Sequence, residues 1–128
     1  MKEKLNELIK NAYSPYYKFP VAAIIEMKDG KLFYGVNVET SAPASGICAE
    51  RNALFSAMAA GYKKGQVKTI YIMNTTDKAC YPCFICRQAL SDLCDKDTTI
   101  ITYNNQGESQ SVLLEALCPY PFADEDLA

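Results

Sequence analysis

The amino-acid sequence predicts an α/β domain in which helices cover a sheet, and three observations carry that expectation. Short runs rich in β-branched and aromatic residues alternate with longer stretches of good helix formers. Turn residues such as Asp29-Gly30 and Asn105-Gln106-Gly107 separate these segments. The 128 residues, 49% of them apolar, suffice for one core and leave no room for a second, so residues 1–128 are expected to form a single domain.

Leu5, Leu8, Ile9 and Ala12 share one stripe at helical spacing before Pro15, which predicts a short helix over residues 4–12. Val21-Ala22-Ala23-Ile24-Ile25 and Leu32-Phe33-Tyr34-Gly35-Val36 flank an Asp-Gly turn and read as a β-hairpin. Residues 48–62 are good helix formers with Leu54, Phe55, Met58 and Ala59 at helical spacing, and Gly61 or Gly65 is placed to end that helix. Residues 69–73 read as a strand, 83–94 as a helix and 98–103 as a strand. After the turn at residues 105–107, residues 112–117 are expected to form a last short helix.

Charge and composition exclude several function classes. A formal net charge of -2 offers no excess of basic groups to neutralise phosphates, so a nucleic-acid partner is not expected and a free small molecule is. No apolar run is long enough to span a bilayer, and the N-terminal residues do not form a secretory signal, so a cytoplasmic, membrane-free protein is expected. Six cysteines in that setting point to metal ligands, reactive thiols or small core residues ahead of disulfides. The chain has no histidine, which removes Ser-His and Cys-His nucleophile pairs and imidazole acid–base chemistry.

Cys83 and Cys86 form a C-x-x-C pair whose spacing puts both sulfurs on one face of a helix, and Pro82 is suited to that helix's start. Cys48 holds the matching place at the start of the preceding helix. Two helix starts aimed at one point would supply three thiolates for Zn²⁺, favoured by the backbone N–H groups and dipole at each end. Three protein ligands with a fourth position open is the pattern of catalytic zinc. Glu50, two residues beyond Cys48, is placed to move protons without being a ligand.

Three thiolates around Zn²⁺ leave a formal charge of −1, and Arg51 is expected to compensate by donating to the sulfurs. Arg87 divides evenly between that role and plain surface charge. Less specific readings compete. Cys80, Cys94 or Cys118 could close a structural four-cysteine site in a non-catalytic interaction module. An iron–sulfur run is disfavoured because Leu90 stands where its fourth cysteine would be. Glu50 could merely complement a helix dipole, and Tyr16 and Tyr17 read as core aromatics.

Taken together, Cys48-Ala49-Glu50-Arg51 and Pro82-Cys83-Phe84-Ile85-Cys86-Arg87-Gln88 resemble the cytidine deaminase family, in its short branch whose zinc ligands are all cysteines. Residues 15–23 and 35–39 resemble the family's segments before its first strand and along its sugar site, and Phe122 with residues 125–127 resembles its tail. The resemblance implies a three-layer α/β/α fold with a mixed five-stranded sheet. It implies zinc-dependent hydrolysis of cytidine and deoxycytidine to uridine and deoxyuridine, as in pyrimidine salvage. At matching positions Phe19 would pack against the pyrimidine, Asn37 and Glu39 would bind the ribose 3′-hydroxyl, and Ala49 would offer its N–H to the base carbonyl. The family's short chains are homotetramers with shared sites, so Phe122 would reach a neighbouring subunit's base. A deaminase of a cytosine-nucleoside antibiotic such as blasticidin S shares the cysteine motif. This chain differs from the family pattern at Tyr17, where serine is usual, and at Phe84, where glycine is usual.

Overall fold

Four consecutive residues, Ala22, Ala23, Ile24 and Ile25, are wholly buried, and successive residues of a strand point to opposite faces. Only a strand covered on both sides can bury such a run. In the computed structural model, which describes residues 1–127, this run lies in β1 (Val21–Met27). One face of β1, carrying Ala23, Ile25 and Met27, packs on α2 (Ala49–Ala59) and on Leu90 of α3 (Phe84–Leu93). The other, carrying Ala22 and Ile24, packs with Leu5 of α1 (Lys2–Leu8) and Met73 of β3 (Val67–Asn74). The expected three layers are therefore present.

Five strands form one sheet in the order β2-β1-β3-β4-β5, with β2 at Leu32–Val36, β4 at Thr99–Tyr103 and β5 at Ser109–Leu113. β3 and β4 run parallel, joined by the α3 crossover, and the other pairs are antiparallel, which gives the mixed sheet. The β1–β2 hairpin turns at Gly30, in a left-handed conformation at φ +93°, and the Asp29 carboxylate accepts the Lys31 N–H.

Two expected elements differ. The N-terminal helix ends at Leu8 and tightens into a 3₁₀ turn at Ile9–Asn11, so it stops short of Ala12. Residues 112–117 are not one helix: Val112 and Leu113 belong to β5, and only Leu114–Leu117 makes a helical turn, α4. Val112 is paired with Ile100 across an antiparallel ladder that leaves Ser109, Gln110 and Ser111 exposed. An edge strand of this kind lacks the apolar alternation by which strands are recognised. No helix among the described residues is long and apolar enough to cross a membrane.

The face that α2 buries also differs from the expected stripe. Leu54 is buried, whereas Phe55 is 42% exposed and Ala59 is exposed; the buried residues are Ala49, Glu50, Ala53, Leu54 and Ala57. Ala49, Ala53 and Ala57 recur every four residues and so line up along the helix. This small stripe lets α2 settle onto β2 at Gly35, where a Cβ would meet the backbone N of Ala53 and, at 2.5 Å, the carbonyl oxygen of Ala49. Gly61, at φ +100°, ends the arm: its N–H donates to Met58 and the Tyr62 N–H reaches back to Ala57, a Schellman closure.

Gly35→Ala is expected to push α2 off the sheet. The overpacking should cost about 2 kcal/mol and lower Tm by several degrees in a thermal unfolding scan. An unchanged Tm would mean that the helix does not rest on Gly35.

Candidate active site

α2 and α3 both begin with a cysteine as the residue that caps the helix, Cys48 at φ −75°, ψ 154° and Cys83 at φ −65°, ψ 166°. Serine, threonine or aspartate usually fills this position and bonds the first free N–H groups. Neither helix has a side-chain cap hydrogen bond, so each presents its unpaired N–H groups and the positive end of its dipole beside a sulfur. Cys86 follows one turn into α3, wholly buried, on the same face as Cys83. The sulfurs of Cys48, Cys83 and Cys86 lie within 4.8 Å of one another, and the Cys48–Cys83 separation is 3.8 Å.

These sulfurs fit zinc. With Zn–S bonds of about 2.3 Å, a tetrahedral set places its sulfurs about 3.8 Å apart. Among the described residues the group contains no fourth donor. Cys94 is buried in the core beside Leu90, Cys118 lies against the Arg87 carbonyl and Cys80 against that of Lys78. The Cys48 thiol is held down at about 5, first by a hydrogen bond from Cys86 and then by the Arg51 guanidinium. The same pairing, with burial, pushes Cys86 up. Arg51 Nη2 stands 3.6 Å from the Cys48 sulfur, within reach to donate to it.

Glu50, in the first turn of α2, is only 6% exposed, and burial pushes its carboxyl up to about 7, with the neighbouring Cys48 adding to the rise. A carboxyl poised there is divided between acid and base at neutral pH, which suits a proton carrier. It lies on the wall of a cavity of about 530 Å³ together with Cys48 and Cys83. The open side of the three-sulfur group therefore faces a chamber of small-molecule size, with Cys86 buried behind it.

Phe19, Asn37, Glu39 and Ala49 line the same cavity. The polar atoms of two of them are already engaged: Asn37 takes the Val21 N–H at 2.8 Å and donates to the Phe19 carbonyl at 2.9 Å. Glu39 takes the N–H groups of Tyr16 and Tyr17. Phe122 is not on this wall; it is 56% exposed, with its carbonyl held by Gln88. Tyr16 and Tyr17 prove to be cavity rim rather than core, at 58% and 76% exposure.

Arg87 takes neither expected role. Its Nε donates to the Pro82 carbonyl at 2.8 Å and its Nη1 to the Leu117 carbonyl, while the guanidinium stacks on Phe84. It thus ties the start of α3 to the end of α4. Phe84 points outward, 77% exposed, away from the sulfurs. Several wall and support residues have no local sequence signal. Cys80 and Tyr81 line the cavity, the Tyr81 hydroxyl donating to Gln110 on β5. Ser14 bonds Glu39 across 25 positions, a pairing that no local pattern reveals.

Metal analysis of the purified chain is expected to find one zinc per protomer, lost in Cys48→Ala and Cys86→Ala. Arg51→Gln should retain the zinc yet lower activity by roughly ten- to a hundred-fold, the range for a residue that tunes a metal's ligands. Full activity in Arg51→Gln would remove it from the site's charge balance.

Comparison with known proteins agrees with this geometry. The family model for the cytidine and deoxycytidylate deaminase zinc-binding region matches residues 1–102. A cytidine deaminase of Halalkalibacterium halodurans is 37% identical over 118 residues, 92% of this chain and 88% of that protein. One from Sporosarcina psychrophila is 34% identical over 119 residues, 93% and 86% of the two chains. The crystal structure of cytidine deaminase from Burkholderia pseudomallei matches with a TM-score of 0.89 at 37% identity, covering 94% of each chain. With its three-sulfur group and buried glutamate, and with a match over most of its length, the chain belongs to the family of zinc-binding cytidine and deoxycytidylate deaminases.

Proposed function

We propose that this chain is a zinc-dependent hydrolase that deaminates cytidine and deoxycytidine, with Cys48, Cys83 and Cys86 as metal ligands and Glu50 as proton carrier. The observation that carries the reading is the buried carboxyl of Glu50, raised to about 7, beside a three-sulfur group that opens onto a cavity. Zinc, when bound, supplies a Lewis-acid position that brings a coordinated water to a pKa near 7. Glu50 takes one proton from the attacking water and delivers it to the ring nitrogen, then takes the second from the hydroxyl formed at C4 and delivers it to the departing amine. Water adds at C4, the exocyclic nitrogen leaves as ammonia, and a carbonyl remains. Ala49, at the first position of α2, has its N–H free of the helix ladder and available to the base carbonyl. Phe19 forms an apolar wall for the ring, while Asn37 and Glu39 face the sugar.

A homotetramer that completes each site with Phe122 of a neighbouring subunit belongs to the same reading. Its support is the apolar surface left open at the start of α3 and along the tail, where Phe84, Ile85, Tyr120 and Phe122 are all more than half exposed.

Glu50→Gln keeps the size of a buried side chain but cannot carry protons. It is expected to retain zinc and to lower the rate of cytidine conversion, followed by ultraviolet absorbance, at least a hundred-fold. Wild-type turnover of blasticidin S with none of either nucleoside would overturn the substrate assignment. Light scattering should give four times the chain mass, and Phe122→Ala should weaken substrate binding without loss of zinc; a fully active monomer would refute the shared site.

A further inference from the structure

Between the Tyr13–Val38 bridge and β1, the segment that carries Phe19 belongs to no helix or strand, so side chains must hold it. Glu39 does so: its Oε1 accepts the N–H groups of Tyr16 and Tyr17 at 2.9 and 3.1 Å. The Ser14 hydroxyl donates to Oε2 at 2.5 Å, and the same Ser14 oxygen accepts the Phe19 N–H at 2.9 Å. One hydroxyl therefore joins the Glu39 carboxylate to the backbone of Phe19. Inside this loop Lys18 sits at φ +53°, a left-handed conformation that an ordinary side chain adopts only where its surroundings impose it.

From these contacts we infer that Ser14 is a positioning residue for sugar recognition, locking Glu39 and Phe19 into one preformed unit. The inference rests on the proposed nucleoside reading and extends it to a residue outside the substrate's reach. A carboxylate offers about four acceptor sites, of which Tyr16, Tyr17 and Ser14 use three. The remaining site is aimed before substrate arrives, and this preorganisation lowers the ordering cost of binding. Burial pushes the Glu39 carboxyl up, but the Ser14 hydroxyl and the Tyr17 and Tyr16 amides outweigh it and hold the pKa below the usual value, so the group stays ionised. Removing the Ser14 hydroxyl leaves the three-sulfur group and Glu50 untouched, so the loss should fall on KM and not on kcat.

Steady-state kinetics of Ser14→Ala, Glu39→Gln and the double variant, on cytidine and on 3′-deoxycytidine, test this together with amide hydrogen exchange. Ser14→Ala should raise KM for cytidine roughly five- to ten-fold with kcat held, equivalent to one charge-assisted hydrogen bond. It should cost clearly less in the Glu39→Gln background than in the unmodified protein, and less on 3′-deoxycytidine, which lacks the hydroxyl that Glu39 faces, than on cytidine; what remains is the loosening of Phe19. Exchange at the amides of Tyr16, Tyr17 and Phe19 should accelerate in Ser14→Ala. Additive losses in the double variant, a fall in kcat alone, or unchanged exchange would each overturn the inference. Should the unmodified protein turn over neither nucleoside, the proposed function falls by itself, and the exchange measurement still decides whether Ser14 orders the segment.

Discussion

The seating of α2 on the sheet at Gly35 is the contact on which the rest of the site depends. Cys48, Ala49, Glu50 and Arg51 all lie in the first turn of α2 or at its cap, so wherever this helix rests, one sulfur of the cluster, the buried carboxyl and the guanidinium go with it. An alanine stripe and a bare glycine allow backbone to meet backbone there, which fixes the helix more rigidly than larger side chains would. The helix start then points at the start of α3, and the two caps bring three sulfurs within 4.8 Å.

Placing cysteines at helix caps joins two electrostatic needs. Free N–H groups and aligned dipoles favour anions at both starts, and the Arg51 guanidinium stands 3.6 Å from the Cys48 sulfur. Glu50 experiences the opposite environment two residues away, because it is buried and lies beside Cys48. Burial and that neighbour disfavour its ionised form. Two residues at the start of one helix are thus driven in opposite directions, Cys48 toward the thiolate and Glu50 toward the acid.

The loop carrying Phe19 follows different rules. It is not packed into the core but hung from Asn37 and Glu39, which follow β2 on the side where α2 begins. The strand that receives α2 at Gly35 therefore also leads into the residues that hold the Phe19 segment. The three-sulfur group and the Glu39 carboxylate are in this way referenced to the same short stretch of chain, Gly35 to Glu39, and their spacing does not depend on surface loops being ordered independently.

The sequence alone determined whatever local spacing encodes: the two cysteine-bearing helix starts, the hairpin at Asp29-Gly30, Glu50 two residues beyond Cys48, and the absence of histidine that leaves proton transfer to carboxylates, Tyr, Lys or bound water. These were legible because helix caps, i, i+3 pairs and turn residues act over a few positions. Only the tertiary structure decided the edge strand β5, whose exposed Ser109, Gln110 and Ser111 carry no pattern. It alone sent Phe84 outward onto Arg87, turned Arg87 toward two backbone carbonyls, and set the face of α2 by the bareness of Gly35. The Ser14–Glu39 bond likewise spans 25 positions. Such pairings depend on how strands and helices stack, and the physical reason they were hidden is that no short-range propensity reports on a partner brought close only by folding.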